Sequence, residues 1–228
     1  MKNLLIILTM FLQPNKVGEY TEKSLYQDMV HDSSPQGVKN AVYSSLMIQV
    51  VGEDNRGSMG TGNLVEIGDT EIDFTGDSID ITFKTARVVL TAQHVVDGAQ
   101  ALIVVEKNGN MIPASVIYED KTKDIAAIVL HGEPTITDAI KFKQKKDNKI
   151  GKEVYHCRHP SIIPFNLSKG VITSLQGNHI VTDSFSLPGS SGSVVFGKRG
   201  DIIGIVVSVG FDQPFGLPEL IEEVVRVS

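Results

Sequence analysis

Between Val42 and Leu130 the chain is a succession of short, β-branched runs broken by turn residues, and no other feature narrows its fold as far. The runs are Val42–Val51, Gly62–Ile67, Arg87–Thr91, Leu102–Glu106, Ala114–Tyr118 and Ala126–Leu130, with Gly, Asn or Asp between them. Valine, isoleucine and threonine suit a pleated, half-buried surface, so each run predicts a strand. Six strands within about 90 residues suggest a closed barrel, which removes exposed sheet edges.

A second set of runs follows at Glu153–Cys157, Leu167–Leu175, His179–Asp183, Val194–Phe196 and Ile202–Val209, with Gly170, Gly177 and Gly200 at turns or bulges. The chain therefore divides into a leader (1–40), a first barrel (41–140), a connection (141–152) and a second barrel (153–216). The connection carries a cluster of lysines around Asp147-Asn148 and predicts an exposed crossing. Leu217, Leu220, Ile221, Val224 and Val225 recur at helical spacing behind Pro218 and Glu219, which predicts a C-terminal helix over 217–228. Within the first barrel Asp69–Lys84 is an insertion in which Ile72 and Phe74, then Ile79, Ile81 and Phe83, alternate with polar residues; it predicts an extra hairpin. Its carboxylates Asp69, Glu71, Asp73, Asp77 and Asp80 lack the spacing of a calcium loop and are read as a solvated face.

The leader opens with Met1-Lys2-Asn3 and the apolar run Leu4–Leu12, the first two regions of a signal peptide without a small-x-small cleavage site. A signal or membrane-associating segment and a segment packed on the body both stay open. An exported, periplasmic or membrane-associated location follows from the first and an intracellular one from the second. Leu25, Tyr26, Met29 and Val30 share a helical face, so Glu19–Val30 predicts a short helix, followed by a linker over Asp32–Gly37. A net charge of −6 argues against general nucleic-acid binding, and a single cysteine excludes an intrachain disulfide.

Chemistry concentrates at Gly189-Ser190-Ser191-Gly192, where the second barrel turns into Val194-Val195-Phe196. Glycine has no side chain and tolerates positive φ, so the backbone can bend sharply there and aim N–H groups at a bound carbonyl. Gly/Ser turns are common between strands, so the turn alone decides little. Two partners lie upstream: His94 ends the run Leu90–Ala92, and Asp124 opens Ile125–Ile128. The order His94, Asp124, Ser191 is that of chymotrypsin-like proteases, and no histidine follows Ser191 as an α/β-hydrolase would need.

On these residues the chain resembles a trypsin-like serine protease of the HtrA type, with a relation also to glutamyl endopeptidases. Gly60-Thr61-Gly62-Asn63-Leu64-Val65 resembles the family's Gly-Ser-Gly strand, His94-Val95-Val96-Asp97-Gly98-Ala99 its histidine motif, and Asp124-Ile125-Ala126 its Asp-Ile-Ala. Thr182-Asp183 through Gly192 follows its Thr-Asp…Pro-Gly-x-Ser-Gly, so the resemblance runs from about Ala41 to Gly216. Gln93 departs from the family's small residue before the histidine, and Ser193-Val194 replaces Gly-Pro.

The resemblance implies an all-β, chymotrypsin-like fold of two six-stranded antiparallel β-barrels, here with a C-terminal helix and a short N-terminal helical leader. It implies a serine endopeptidase with His94, Asp124 and Ser191 as catalytic residues, and Gly189 and Ser191 as the oxyanion hole. Phe185, Ser186, Val207, Ser208, Val209 and Gly210 then contact substrate, with Ser208 in reach of Asp124. Phe185 at the pocket base offers no carboxylate for Arg or Lys, and Val206 and Val207 stand where a Glu-specific enzyme has histidine; cleavage after small or medium aliphatic residues is expected. The implied partner is a polypeptide substrate, with no metal or organic cofactor and no nucleic acid; membrane association rests on Leu4–Leu12, and oligomeric state stays open. HtrA proteins often continue into a PDZ domain, for which no residues remain before Ser228. His156-Cys157-Arg158-His159 invites a metal reading, but no second ligand pair accompanies it, so structural roles are expected. The rival reading is a catalytically silent or latent protease-fold binding module, which usually lacks a triad member; all three positions are filled here.

Overall fold

The computed structural model describes residues 29–52, 57–75, 78–143, 148–160, 163–212 and 219–225. The first sheet is built from β1 (Ser45–Gly52), β2 (Gly57–Thr75), β3 (Ser78–Thr91), β4 (Ala99–Val105), β5 (Met111–Asp120), β6 (Ile125–Leu130) and β7 (Ile140–Lys141). Its order is β1-β4-β5-β6-β3-β2-β7, and a further β1–β2 pairing brings the run back on itself. The second sheet is a closed barrel of β8 (Glu153–Arg158), β9 (Asn166–Gln176), β10 (His179–Thr182), β11 (Val194–Gly197), β12 (Ile202–Asp212) and β13 (Glu219–Val225), in the order β10-β13-β12-β11-β8-β9. All pairings are antiparallel except the two-residue contact of β7 with β2.

The two halves share one core. Leu46, Ile48, Leu64, Val89 and Ile128 of the first sheet belong to the same buried cluster as Cys157, Val194, Phe196, Ile202 and Ile205 of the second. A smaller cluster of Val154, Ile172, Ile180, Val195, Ile203 and Val206 fills the second barrel. β11 serves both, Val194 and Phe196 in the shared core and Val195 in the barrel, which is why all four of its residues are buried.

β2 is the seam between the halves, and its Gly60-Thr61-Gly62-Asn63 pattern has a direct cause. A Cβ on Gly60 would lie 2.5 Å from Val95 Cγ1, and one on Gly62 2.5 Å from Val89 Cγ1, so that face has room for hydrogen only. The alternate residues Thr61 and Asn63 are fully buried and carry polar groups to the second barrel. Asn63 accepts the Val194 N–H at 2.9 Å and donates to Ser44 Oγ at 2.8 Å.

Two local expectations are corrected. The linker read over Asp32–Gly37 gives way to helix α1 (Gln36–Tyr43), which also takes the first residues of the predicted strand Val42–Val51. Pro35 fits just before a helix, and the helix buries Gly37, Val38 and Ala41; Gly37 packs so closely on Gly197 that a Cβ would meet its carbonyl oxygen at 2.2 Å. The predicted C-terminal helix is instead strand β13, paired to β10 and β12. Its β-branched residues suit either period, and the barrel's need for a sixth strand decides between them. Ile140–Lys141, where the predicted first barrel meets the connection, pairs with Val65 and Glu66. The insertion does form a hairpin: β2 and β3 pair continuously from Asn63↔Leu90 to Thr75↔Ser78. The leader's Leu4–Leu12 run lies outside the described residues, as does nearly all of the predicted helix Glu19–Val30. Among the described residues no helix is long and apolar enough to cross a membrane.

Candidate active site

His94 sits on the four-residue helix α2 (Gln93–Val96), directly after β3, and Asp124 sits in the turn between β5 and β6. Asp124 grips the histidine at two points: Oδ1 accepts the His94 backbone N–H at 2.8 Å, and Oδ2 accepts Nδ1–H at 2.7 Å. A carboxylate only accepts, so Nδ1 carries a proton, and the neutral form of the ring has its lone pair at Nε2. Asp124 holds φ 53, a left-handed conformation that short polar residues tolerate. The pair is partly open, with side chains 46% and 28% exposed. Gln93 is now explained: it is buried, and its amide donates at 2.9 Å to Asp97 Oδ1, which also takes Lys121 Nζ at 3.0 Å, bracing the far end of α2.

Ser191 is half-buried in a turn held from several sides. Pro188 and Gly189 occupy the middle of a turn closed by Ser190 N–H to the Leu187 carbonyl at 2.9 Å; proline then a positive-φ residue, here φ 99, is the type II arrangement. Ser190 Oγ accepts the Leu187 N–H at 3.0 Å, and Ser193 Oγ donates to the Ser190 carbonyl at 2.7 Å. Gly192, at φ 88, lies where a Cβ would be 2.1 Å from the Thr61 carbonyl oxygen and 2.2 Å from Thr91 Oγ1. The Ser191 turn therefore packs against Thr91-Ala92, the residues leading into His94. Among the described residues the N–H groups of Gly189 and Ser191 meet no acceptor, and no hydrogen bond joins the Ser191 hydroxyl to His94.

Under this turn lies His159, fully buried. Its Nδ1 accepts the Phe165 N–H at 2.9 Å, so Nε2–H donates to Ser45 Oγ at 2.7 Å. Burial first, and the Lys107 charge second, pull its pKa down to about 3, so the ring is neutral.

Of the substrate-contacting residues expected, Phe185 is 48% exposed and Ser186 is buried. Val207 is the unpaired residue of a bulge in β12, between Val206↔Val224 and Ser208↔Glu223. Ser208, Val209 and Gly210 pair through their backbone with Glu223, Glu222 and Ile221 of β13. Sequence reasoning missed Arg158: its guanidinium carbon lies 4.6 Å from the centre of the Phe185 ring, with only 5% of the residue exposed. It also missed Thr61, which reaches the Ser191 turn across the barrel seam; a polar residue alternating with glycines on a strand was the available signal. Among the described residues no group of His, Cys, Asp and Glu could hold a metal ion.

The family model for a trypsin-like peptidase domain matches residues 75–205, more than half of the chain. A probable periplasmic serine protease do/HhoA-like of Haemophilus influenzae is 25% identical over 153 residues, covering 62% of this chain and 33% of that protein. The serine protease Do-like HtrA of Bacillus subtilis is 24% identical over 202 residues, 81% of this chain and 42% of that protein. The chain thus spans less than half the length of either relative. Among solved structures, the serine endoprotease from Yersinia pestis superposes with a TM-score of 0.61 at 21% identity, covering 86% of this chain and 63% of that one. The HtrA-type protease AlgW with tripeptide gives 0.63 at 18% identity, covering 83% and 58%. With the two-sheet fold described above, the family match establishes that the chain belongs to the trypsin-like peptidase domain family.

Proposed function

We propose that the protein is a serine endopeptidase whose nucleophile is Ser191, with His94 as its base and Asp124 as the group that orients the base. The observation that carries this reading is the two-point grip of Asp124 on His94, which holds the Nδ1–H tautomer and leaves Nε2 to accept a proton. Ser191 Oγ attacks the peptide carbonyl as His94 takes its proton; the proton then passes to the departing amine, and water repeats the sequence on the acyl-enzyme. Asp124 stabilises the imidazolium without taking the proton. The N–H groups of Gly189 and Ser191 donate hydrogen bonds to the developing oxyanion, a role worth roughly 10²–10³ in kcat per donor. The Ser191–His94 hydrogen bond is one that forms on the substrate, since such bonds tighten in the substrate complex.

The substrate is an extended polypeptide lying along Ser208–Gly210 of β12, with the side chain before the cut resting on Phe185, Ser186 and Val207. The Arg158 charge lies beneath the Phe185 ring and the ring is the exposed partner, so the surface offered is apolar. Small or medium aliphatic residues are therefore preferred. Incubating the wild type and Ser191→Ala with an unfolded protein substrate tests the reading. Fragments from the wild type only, ending in Val, Ala or Leu, are expected. Equal cleavage by both would refute the nucleophile, and cuts after Arg, Lys or Glu would refute the pocket.

A further inference from the structure

We propose that the Thr61 hydroxyl is a positioning group for the oxyanion turn, fixing the Gly189–Ser190 peptide so that the Gly189 and Ser191 N–H groups stay aimed at the scissile carbonyl. The proposal rests on the reading of Ser191 as the nucleophile and extends it to a residue of the opposite barrel.

Thr61 is fully buried on β2 and touches the site through every polar atom it has. Its N–H donates to the Ser191 carbonyl at 2.8 Å, and its carbonyl accepts the Thr91 hydroxyl at 2.7 Å. Its hydroxyl accepts the His159 N–H at 3.0 Å and donates to the Gly189 carbonyl at 2.7 Å. The His159 N–H can only donate, so the Thr61 hydroxyl proton points away from it, toward Gly189.

That direction matters because of what Gly189 lacks. Without a Cβ, a residue at φ 99 has little intrinsic barrier against rotating to other conformations, and a rotated peptide would carry the neighbouring N–H groups out of the hole. The Gly189–Ser190 peptide is instead held at both ends. Ser190 N–H is fastened to the Leu187 carbonyl within the turn, and the Gly189 carbonyl is fastened to Thr61 across the seam. A side chain on Gly189 could not replace this brace, because a Cβ would lie 2.7 Å from the His159 carbonyl oxygen. Water could not replace it either, since Thr61 is sealed from solvent.

The test compares Thr61→Val, Thr61→Ala and Thr61→Ser in the full chain, following hydrogen exchange at the Ser190 amide together with kcat and KM on a peptide substrate. In the Val and Ala variants Ser190 protection is expected to fall about tenfold or more. Their kcat should fall roughly 10- to 100-fold with KM changed by less than about threefold, because a misaimed donor is lost mainly in the transition state. Thr61→Ser keeps the hydroxyl and should restore both values. Unchanged protection and kcat in folded Val or Ala variants, with only a lower melting temperature, would overturn the proposal. So would a Ser variant as impaired as Ala, which also decides the matter if Val does not fold. Should the wild type cleave nothing, the protease reading fails while the exchange comparison still decides whether Thr61 holds the turn.

Discussion

His94 and Asp124, the proposed base and its orienting group, are joined by direct contact through two hydrogen bonds. The turn of Ser191, the proposed nucleophile, is held across two sheets by Thr61, itself bonded by the His159 N–H, and within the turn by the hydroxyls of Ser190 and Ser193. The base side can therefore lose its chemistry and keep its packing. The nucleophile side cannot, because the same contacts that aim the turn also join the barrels.

The largest expected effect isolates the base side. Asp124→Asn should lower kcat by roughly 10⁴, since the amide favours the wrong tautomer of His94. Its urea midpoint should stay close to that of the wild type. A loss below about tenfold would assign the orienting role elsewhere, Asp120 being the nearest carboxylate along the chain.

Gly192→Ala strikes the other side. A Cβ at φ 88, with Thr61 and Thr91 oxygens within 2.2 Å, should cost about 3 kcal/mol or more, and urea denaturation should show stability falling together with activity. A folded, fully stable Ala variant would mean that the seam yields where it is described as tight.

Acid should also weaken the nucleophile side. His159 binds its proton near pH 6.5 when unfolded but only near 3 when folded, because it is buried. Between those values the unfolded chain holds more protons, so the stability His159 contributes is present above about pH 6.5 and drains away as pH falls toward 3. Glu106 adds a lower step. Burial alone would raise its pKa, but hydrogen bonds from Asn110, Thr135, Ile136 and Thr137 outweigh it and bring the carboxyl from 4.5 to about 2. That stability is present above about pH 4.5 and lost as pH falls toward 2. The free energy of unfolding should decline from pH 7 to 3 by about 4–6 kcal/mol. Glu106→Gln should remove the lower step alone; a flat profile would contradict both buried environments. The smallest effect is Gln93→Ala, which removes one hydrogen-bonded brace of α2 and should cost about 0.5–1.5 kcal/mol with kcat nearly unchanged.

Most strands of both sheets were legible because β-branched runs and turn residues are local signals, and His94, Asp124 and Ser191 stood out as candidates because each sits in a short contiguous motif. Helix α1 was not legible: Pro35 and Gly37 read as a linker, while the face the helix buries is defined by Gly197 and Tyr155, far along the chain. β13 was misread because Leu220, Ile221, Val224 and Val225 satisfy two periods, and only the barrel's open place chooses one. Thr61 and Arg158 escaped for the same reason. Their contacts are with Gly189, 128 residues away, and with Phe185; the alternation of Thr61 with glycines marks it as buried and polar but does not name its partner.

The central claim is that Ser191 alone carries an activated hydroxyl, and intact mass spectrometry after treatment with a fluorophosphonate tests it most directly. A base-activated serine reacts at neutral pH, whereas ordinary hydroxyls do not. The account predicts a single adduct on Ser191, absent in Ser191→Ala and strongly slowed in His94→Ala. No adduct on the folded wild type, or labelling that persists undiminished in Ser191→Ala, would contradict it.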